Sequence, residues 1–280
     1  MGTVATYLQA FGVPGDRARV LVVVAHPDDE TIGAGGLLAL AAAGGPLDVN
    51  VLHVTDGAPR SGGDAAAAGC ADWRAYAGLR RAELARAMAA AGFPAERLQG
   101  FGHADQCAAL HMAELTDRMR RKFLRCAPDV VLTHAYEGGH PDHDAVAFAV
   151  HNARELLVRQ GRRAPTVVEM PFYHADGGEP VHQRFLDVEG TIERTVRLTP
   201  ELAATKRRML DAFASQARTL APFDAATEHF RRARTPAFAR PPHDGRLLYE
   251  GWGLGLTGER WRLLADEALR TLGLEDARWV

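Results

Sequence analysis

Two short stretches of this sequence crowd histidines and carboxylates closely enough for chemistry. One is "AHPDDE", Ala25 to Glu30, and the other is "HPDHD", His140 to Asp144. Each opens on His-Pro-Asp and sets histidine beside carboxylates with no lysine or arginine next to them. Carboxylates that close repel one another, and burying them uncompensated is expensive. A divalent cation relieves both costs. Imidazole nitrogen with carboxylate oxygen is a donor set that suits zinc, and also iron, cobalt or nickel. Taken alone, the first stretch also reads as a polar turn in which an aspartate caps the helix starting at Glu30. The second stretch, again following an apolar run, turns the balance toward a metal.

A catalytic zinc takes three protein ligands and keeps a fourth position for water. His26, Asp29 and His143 are the simplest set. Asp28 and His140 then stand unliganded beside that water. A carboxylate there accepts a proton from water whose pKa the metal lowers. An imidazole there donates to a developing oxyanion or protonates a leaving amine. Asp142 is placed to hold a histidine tautomer from behind, to cap a helix, or both. "GAGG", Gly33 to Gly36, lacks the full G-x-G-x-x-G phosphate loop and reads as close helix–sheet packing.

The elements around these stretches must bring residue 26 to residue 143. "ARVLVVVA", Ala18 to Ala25, reads as a strand buried on both faces, hence parallel and central. Glu30 to Ala43 reads as a crossover helix stopped by Gly44-Gly45, and Leu47 to Thr55 as the next strand. The alternation continues with a helix over Asp72 to Ala91, a short strand over Leu98 to Phe101 and a helix over Leu110 to Arg125. A strand over Asp129 to His134, a helix over Asp142 to Arg159 and a strand over Thr166 to His174 follow. This predicts an α/β fold: a Rossmann-like, doubly wound, mostly parallel sheet with helices on both faces, plus a C-terminal extension. Ligand sites in such sheets lie at the carboxyl ends of strands, where both stretches fall. Past residue 175 the alternation weakens. We expect an antiparallel pair around Gln183 to Thr199, a long helix over Pro200 to Thr219, a loop over Pro222 to Gly245 and a final helix from about Thr257. The expected division is a catalytic core over 1–175 and an extension over 176–280 packing on the same domain.

With 280 residues, 47 % of them hydrophobic, the chain can bury one sizeable core. A net charge of −2 gives no global basic field for nucleic acid. The run Arg118, Arg120, Arg121, Lys122 and Arg125 reads as a solvated helix face. Cys70, Cys107 and Cys126 are odd in number and lack metal-type spacing, which points to a reducing compartment. No apolar run approaches the roughly 20 residues of a membrane span. No secretory signal is visible, and "MGTVAT" fits a myristoylation pattern only formally. The expected partner is a small molecule, with no nucleic acid and no membrane, in the cytoplasm. Sheet edges and the C-terminal segments leave room for a homo-oligomer. The segment Thr55 to Trp73 starts at the rim of the sheet and reads as a lid or substrate loop, with Asp56 touching substrate or making an Asp-Gly turn. Trp73, Tyr76, Phe172, Tyr173, His174 and Trp252 offer stacking surfaces or core, and Pro236 to Arg246 reads as an interface or lid.

"AHPDDE" and "HPDH" together resemble the LmbE-like, or PIG-L, family of N-acetylglucosaminyl deacetylases, over Arg19 to about His174. The resemblance implies a zinc hydrolase that removes an acetyl group from the nitrogen of an amino sugar or related amine. It implies His26, Asp29 and His143 as metal ligands, Asp28 as general base and His140 as the group stabilising the tetrahedral intermediate. The family's R-x-x-E pair falls on Arg80 and Glu83 of "LRRAEL", which implies that Arg80 contacts substrate or oxyanion; a helix-surface ion pair is the alternative. Some thiol-biosynthesis members carry a tyrosine where this chain has Gly138, and Tyr136 lies further upstream. Competing readings are a metal-dependent hydrolase of a non-sugar N-acyl metabolite, and a nucleotide-binding module whose acids only cap helices.

Overall fold

The computed structural model of the chain describes residues 2–275. The apolar run Ala18–Val24 forms β1, and its alternate residues feed two different cores. Val20, Val22 and Val24 join one, while Leu21 and Val23 join the other. A strand with water on neither face needs no polar alternation, which is why it reads as an unbroken apolar run. It is followed by the helix Asp29–Ala42 and by β2 (Leu47–Pro59). An N-terminal helix, α1 (Val4–Phe11), which the sequence pattern did not reveal, precedes them, so Asp29–Ala42 is α2. The short α3 (Gly63–Ala67) leads to α4 (Trp73–Ala91), whose N-cap Asp72 accepts from Ala75 N. Then come β3 (Leu98–Asp105), α5 (Met112–Cys126), β4 (Val130–His134), α6 (Pro141–Arg159) and β5 (Thr166–Met170).

These five strands are parallel in the order β3-β2-β1-β4-β5. The fold class expected from the alternation is the one found. One core joins α1, α2 and α4 to the sheet, and the other joins α5 and α6 to its opposite face. The "GAGG" stretch is packing: a Cβ on Gly33 would sit 2.6 Å from the Met170 sulfur, and one on Gly36 would sit 2.6 Å from Leu198 Cδ2.

The chain beyond β5 departs from expectation in detail. The strand expected to reach His174 stops at Met170, and Pro171 offers no N–H to continue it. Tyr173–Asp176 forms β6 instead, paired in a separate hairpin with β7 (Glu179–His182). β8 (Glu193–Arg197) is antiparallel, as expected near there, but its partner is β9 (Thr227–Arg232), inside the stretch read as a loop. β9 also pairs with β5, so the sheet has seven strands, ending β5-β9-β8. β9 buries Glu228 on one face and Arg231 on the other, charges that disguise it. Glu228 takes Lys206, Tyr7 and Gly36 N; Arg231 takes Glu169. The long helix expected over Pro200 to Thr219 is broken into α7 (Pro200–Asp211), a 3-10 turn and α8 (Ala217–Leu220). The break falls at the fully buried Phe213, and Ser215 beyond it is captured by Glu83. The last helix, α9 (Gly258–Thr271), starts where Thr257 caps it. Within the basic run of α5, Lys122 is a correction: it is buried and bonded to Gln99, because its aliphatic stem is drawn under the edge strand β3. All three cysteines are free. Among the described residues no helix is long and apolar enough to cross a membrane.

Candidate metal centre

The strand order reverses between β1 and β4, and the two His-Pro-Asp stretches leave the carboxyl ends of these neighbouring strands. After β1 the chain turns through Asp28 at φ 137°, ψ −30°. A non-glycine residue there costs on the order of 1–3 kcal/mol and persists only when its surroundings hold it. They do. Asp28 N donates to Glu30 Oε2 at 2.9 Å, and Asp28 O accepts from Thr31 N and Ile32 N. Glu30 is itself fixed by the Thr31 hydroxyl at 2.6 Å and His53 Nε2 at 2.9 Å. After β4, the Asp144 carboxylate gathers the N–H groups of Glu137 and Gly138. The chain then extends into His140, the N-cap of α6, whose Nδ1 accepts from Asp142 N at 3.1 Å with Pro141 next in line.

His26, Asp29 and His143 converge. His26 Nδ1 lies 3.2 Å from His143 Nε2 and 3.3 Å from Asp29 Oδ2, while Asp29 Oδ1 lies 3.3 Å from His143 Nε2. Four-coordinate zinc with bonds of about 2.0–2.1 Å separates neighbouring ligand atoms by about 3.3 Å, the length of these contacts, which Asp29 makes with Oδ2 to His26 and with Oδ1 to His143. Burial opposes it, but His143 and then His134 hold the Asp29 carboxyl well below its usual range. His140 is close enough to count among donors, yet its Nδ1 is committed to the helix cap. His134 is likewise near, but its Nε2 accepts from Ala25 N at 2.9 Å. Its ring stacks on His143 at 3.9 Å and 17°, wedging that imidazole in place.

Two carboxylates back His26. Asp105 Oδ1 is 3.0 Å and Asp142 Oδ2 is 3.4 Å from its Nε2. Asp142 also accepts from Gln106 N and Ala108 N, so it ties the end of β3 to the start of α6. The histidine beside Asp142 is thus His26, from the other stretch. Asp105 was missed by sequence reading. It follows "GFGH" with no motif around it, and only register shifts near the end of β3 bring it toward β1.

Asp28 is not part of the ligand triangle. Its Oδ2 accepts from Arg80 at 2.9 Å, and Arg80 also reaches Pro27 O and, at 3.5 Å, Glu83. Burial pushes the Asp28 carboxyl up to about 7, against the pull of Arg80 and with Asp29 adding to the rise. Arg80 is 1 % exposed, so the surface ion pair is excluded, and its contacts go to Asp28 and that carboxylate's own turn. Burial, followed by the neighbouring His26 and His143, lowers the His140 pKa well below its usual value. His140 is therefore neutral, and with Nδ1 accepting, its proton sits on Nε2.

A cavity of about 450 Å³ opens over these groups. His26, Asp28, Asp29, Arg80, Asp105 and His140 line its floor. Tyr173, His182, Gln216, Arg218 and Trp252 line its walls. Of the aromatic candidates, Tyr173 and Trp252 face this space, whereas Tyr76 and Phe172 are buried and Trp73 is covered by Arg60 and Arg74. Asp56 makes the turn: its carboxylate accepts from Ala58 N and pairs with Arg60. Phe238, in the segment read as interface or lid, is wholly buried against Tyr136, Phe148 and Trp261.

Residues 21–154 match the profile of the family described as PIG-L: GlcNAc-PI de-N-acetylase. A curated relative from Rhodococcus erythropolis, a 1D-myo-inositol 2-acetamido-2-deoxy-alpha-D-glucopyranoside deacetylase, is 35 % identical over 144 residues. That match covers 45 % of this chain and 49 % of the relative, so the chain spans about half the length of the curated relative it matches. Among solved structures, the zinc-inhibited form of teicoplanin deacetylase superposes with a TM-score of 0.55 at 18 % identity, covering 78 % of this chain and 100 % of that one. The N,N'-diacetylchitobiose deacetylase from Pyrococcus horikoshii superposes with a TM-score of 0.50 at 19 % identity, covering 77 % and 84 %. These superpositions show a shared fold. The profile match, which spans just under half of the chain, marks residues 21–154 as similar to a PIG-L family domain.

Proposed function

We propose that this chain is a zinc-dependent hydrolase that removes an N-acetyl group from an amino sugar or related amine, acting on a non-peptide amide. The observation that carries the reading is the convergence of His26 Nδ1, His143 Nε2 and the two Asp29 carboxylate oxygens at contacts of 3.2–3.3 Å, with the Asp28 carboxylate beside them and bonded to Arg80. The relative from Rhodococcus, a deacetylase of an acetamido sugar, supports the substrate class. A cavity of about 450 Å³ is of the size that encloses a small ligand such as a sugar. A metal held there would polarise the acyl oxygen and lower the pKa of the attacking water. Iron or cobalt would suit the same donors.

The protein's own groups do the rest. Asp28 accepts a proton from the water as its oxygen attacks the acyl carbon. Arg80 fixes the direction of that carboxylate and acts through it. His140 Nε2–H donates toward the oxygen that gains charge. As the C–N bond breaks, Asp28 returns the proton to the nitrogen, leaving acetate and a free amine. Asp105 and Asp142 keep His26 oriented. The three free cysteines support a cytoplasmic setting.

The reading is tested by a panel of N-acetylated sugars, their glycosides and simple acyl amines, scored for amine release with and without a chelator. Release from a sugar substrate that the chelator abolishes and zinc restores is the expected result. Release from no member of the panel, by a metal-free protein that binds nucleotide, would overturn it.

A further inference from the structure

One polar group in the cavity wall has no task in the chemistry described so far. The ring of Tyr173 is fixed on all sides: His143 at 5.4 Å between centroids, His182 at 6.1 Å, Trp252 at 6.2 Å and Phe223 at 6.3 Å. Its backbone is fixed too. Tyr173 N donates to Glu137 Oε1 at 3.0 Å, and Phe172 N donates to the same oxygen at 2.8 Å. A Cβ on Gly139 would lie 1.9 Å from Tyr173 O, so this approach exists only because the loop before His140 has glycine there. Tyr136 donates its hydroxyl to Arg240 O, away from the cavity, and the buried Tyr249 hydroxyl, which also lacks a partner, does not line the cavity. The Tyr173 hydroxyl makes no hydrogen bond among the described residues, although Tyr173 lines the cavity whose floor is Asp28, Asp29 and Asp105. A donor packed among rings on the wall of a cavity, with no acceptor in the protein, is free to donate to a ligand bound there.

We propose that Tyr173 is a further catalytic residue, whose phenolic O–H donates a hydrogen bond to the acyl oxygen as that oxygen becomes negative. The proton stays on the phenol throughout, and no bond to Tyr173 forms or breaks. The inference rests on the deacetylase reading above. It also explains how this chain manages with Gly138 two residues before His140. At Gly138, φ is 71° and a Cβ would lie 2.7 Å from Leu247 Cδ2, so any side chain there is strained and must displace Leu247.

The test is Tyr173→Phe, which keeps the ring contacts and deletes the hydroxyl, with Tyr136→Phe as a control that removes a structural hydrogen bond. On the best substrate of the panel, Tyr173→Phe should lower kcat about 10²-fold, with KM changed by less than about twofold. Metal content and melting temperature should match the parent protein. Binding of an anionic tetrahedral phosphonate analogue of the acyl group, measured by calorimetry, should weaken by a similar factor. Tyr136→Phe should leave kcat unchanged. An unchanged kcat in Tyr173→Phe, or a rise in KM alone, overturns the proposal while leaving the deacetylase reading intact. A parent protein that releases amine from nothing in the panel removes both.

Discussion

The same tripeptide, His-Pro-Asp, stands at residues 26–28 and 140–142 and is used in opposite ways. In the first copy the histidine points a ring nitrogen into the ligand triangle, and the aspartate lies outside it, exposed to the cavity. In the second copy the histidine faces the cavity, and the aspartate turns away to support the first copy's histidine. The difference is one of helix register. α2 starts at Asp29, leaving Asp28 before the helix at φ 137°. α6 starts at Pro141, which makes His140 the cap and puts Asp142 inside the first turn. A motif therefore specifies which groups are delivered to the rim. Where the following helix begins decides which of them meets a ligand.

The comparison breaks most visibly at the histidines. His26→Ala should lose stoichiometric metal and all measurable turnover, whereas His140→Ala should keep metal by elemental analysis and lose about 10²–10³ in kcat. The aspartates come next and should divide the other way. Asp28→Asn should cost about 10²–10⁴ in kcat with metal retained, as expected for loss of a proton acceptor. Asp142→Asn should instead weaken metal affinity by about 10–100-fold and leave kcat at saturating metal within about tenfold. A competition titration with a fluorescent chelator separates the two.

A smaller effect sharpens the register explanation. Asp28→Gly should be more stable than Asp28→Ala by about 1 kcal/mol or more in urea, since glycine accepts the positive φ. At position 142 the order should reverse, with Asp142→Gly less stable than Asp142→Ala by about 0.5–1 kcal/mol. The smallest effect belongs to the far end of the same strands. Despite partial burial, Arg19 and Arg163 hold the Asp129 carboxyl at about 2, below its usual value. A depressed carboxylate pKa stabilises the fold above the unfolded value near 4, and that contribution is lost as pH falls toward 2. Asp129→Asn should flatten this limb of an acid titration, costing less than about 1 kcal/mol near neutral pH because the pair is close to solvent.

The sequence was most legible where one physical demand dominated. β1 is wet on neither face, so its apolar run announces it. The ligand stretches announce themselves because clustered acids next to an apolar run need a counter-charge. Legibility failed where a buried charge was paid for by a distant partner. Glu228 and Arg231 hide β9, and only Lys206 and Glu169, far along the chain, make their burial tolerable. It failed again where geometry, not residue type, assigns the task. Nothing near Arg80 in sequence says that its guanidinium is spent on Asp28. His134 is the last residue of β4, and although it lies within reach of Asp29 and His143, its Nε2 accepts from Ala25 N. Tyr173 was visible as an aromatic, but which way a side chain faces just after a proline-ended strand is set by Glu137 and Gly139 across the loop.

The central claim is that two remote loops share one ion while Asp28 stays free of it. Crystals of the chain grown with one equivalent of zinc, measured on both sides of the zinc absorption edge, address it directly. One anomalous peak bonded to His26, Asp29 and His143, with the Asp28 carboxylate beyond bonding distance and still on Arg80, is the predicted result. No peak there, or one that takes Asp28 as a ligand in place of Asp29, would contradict it.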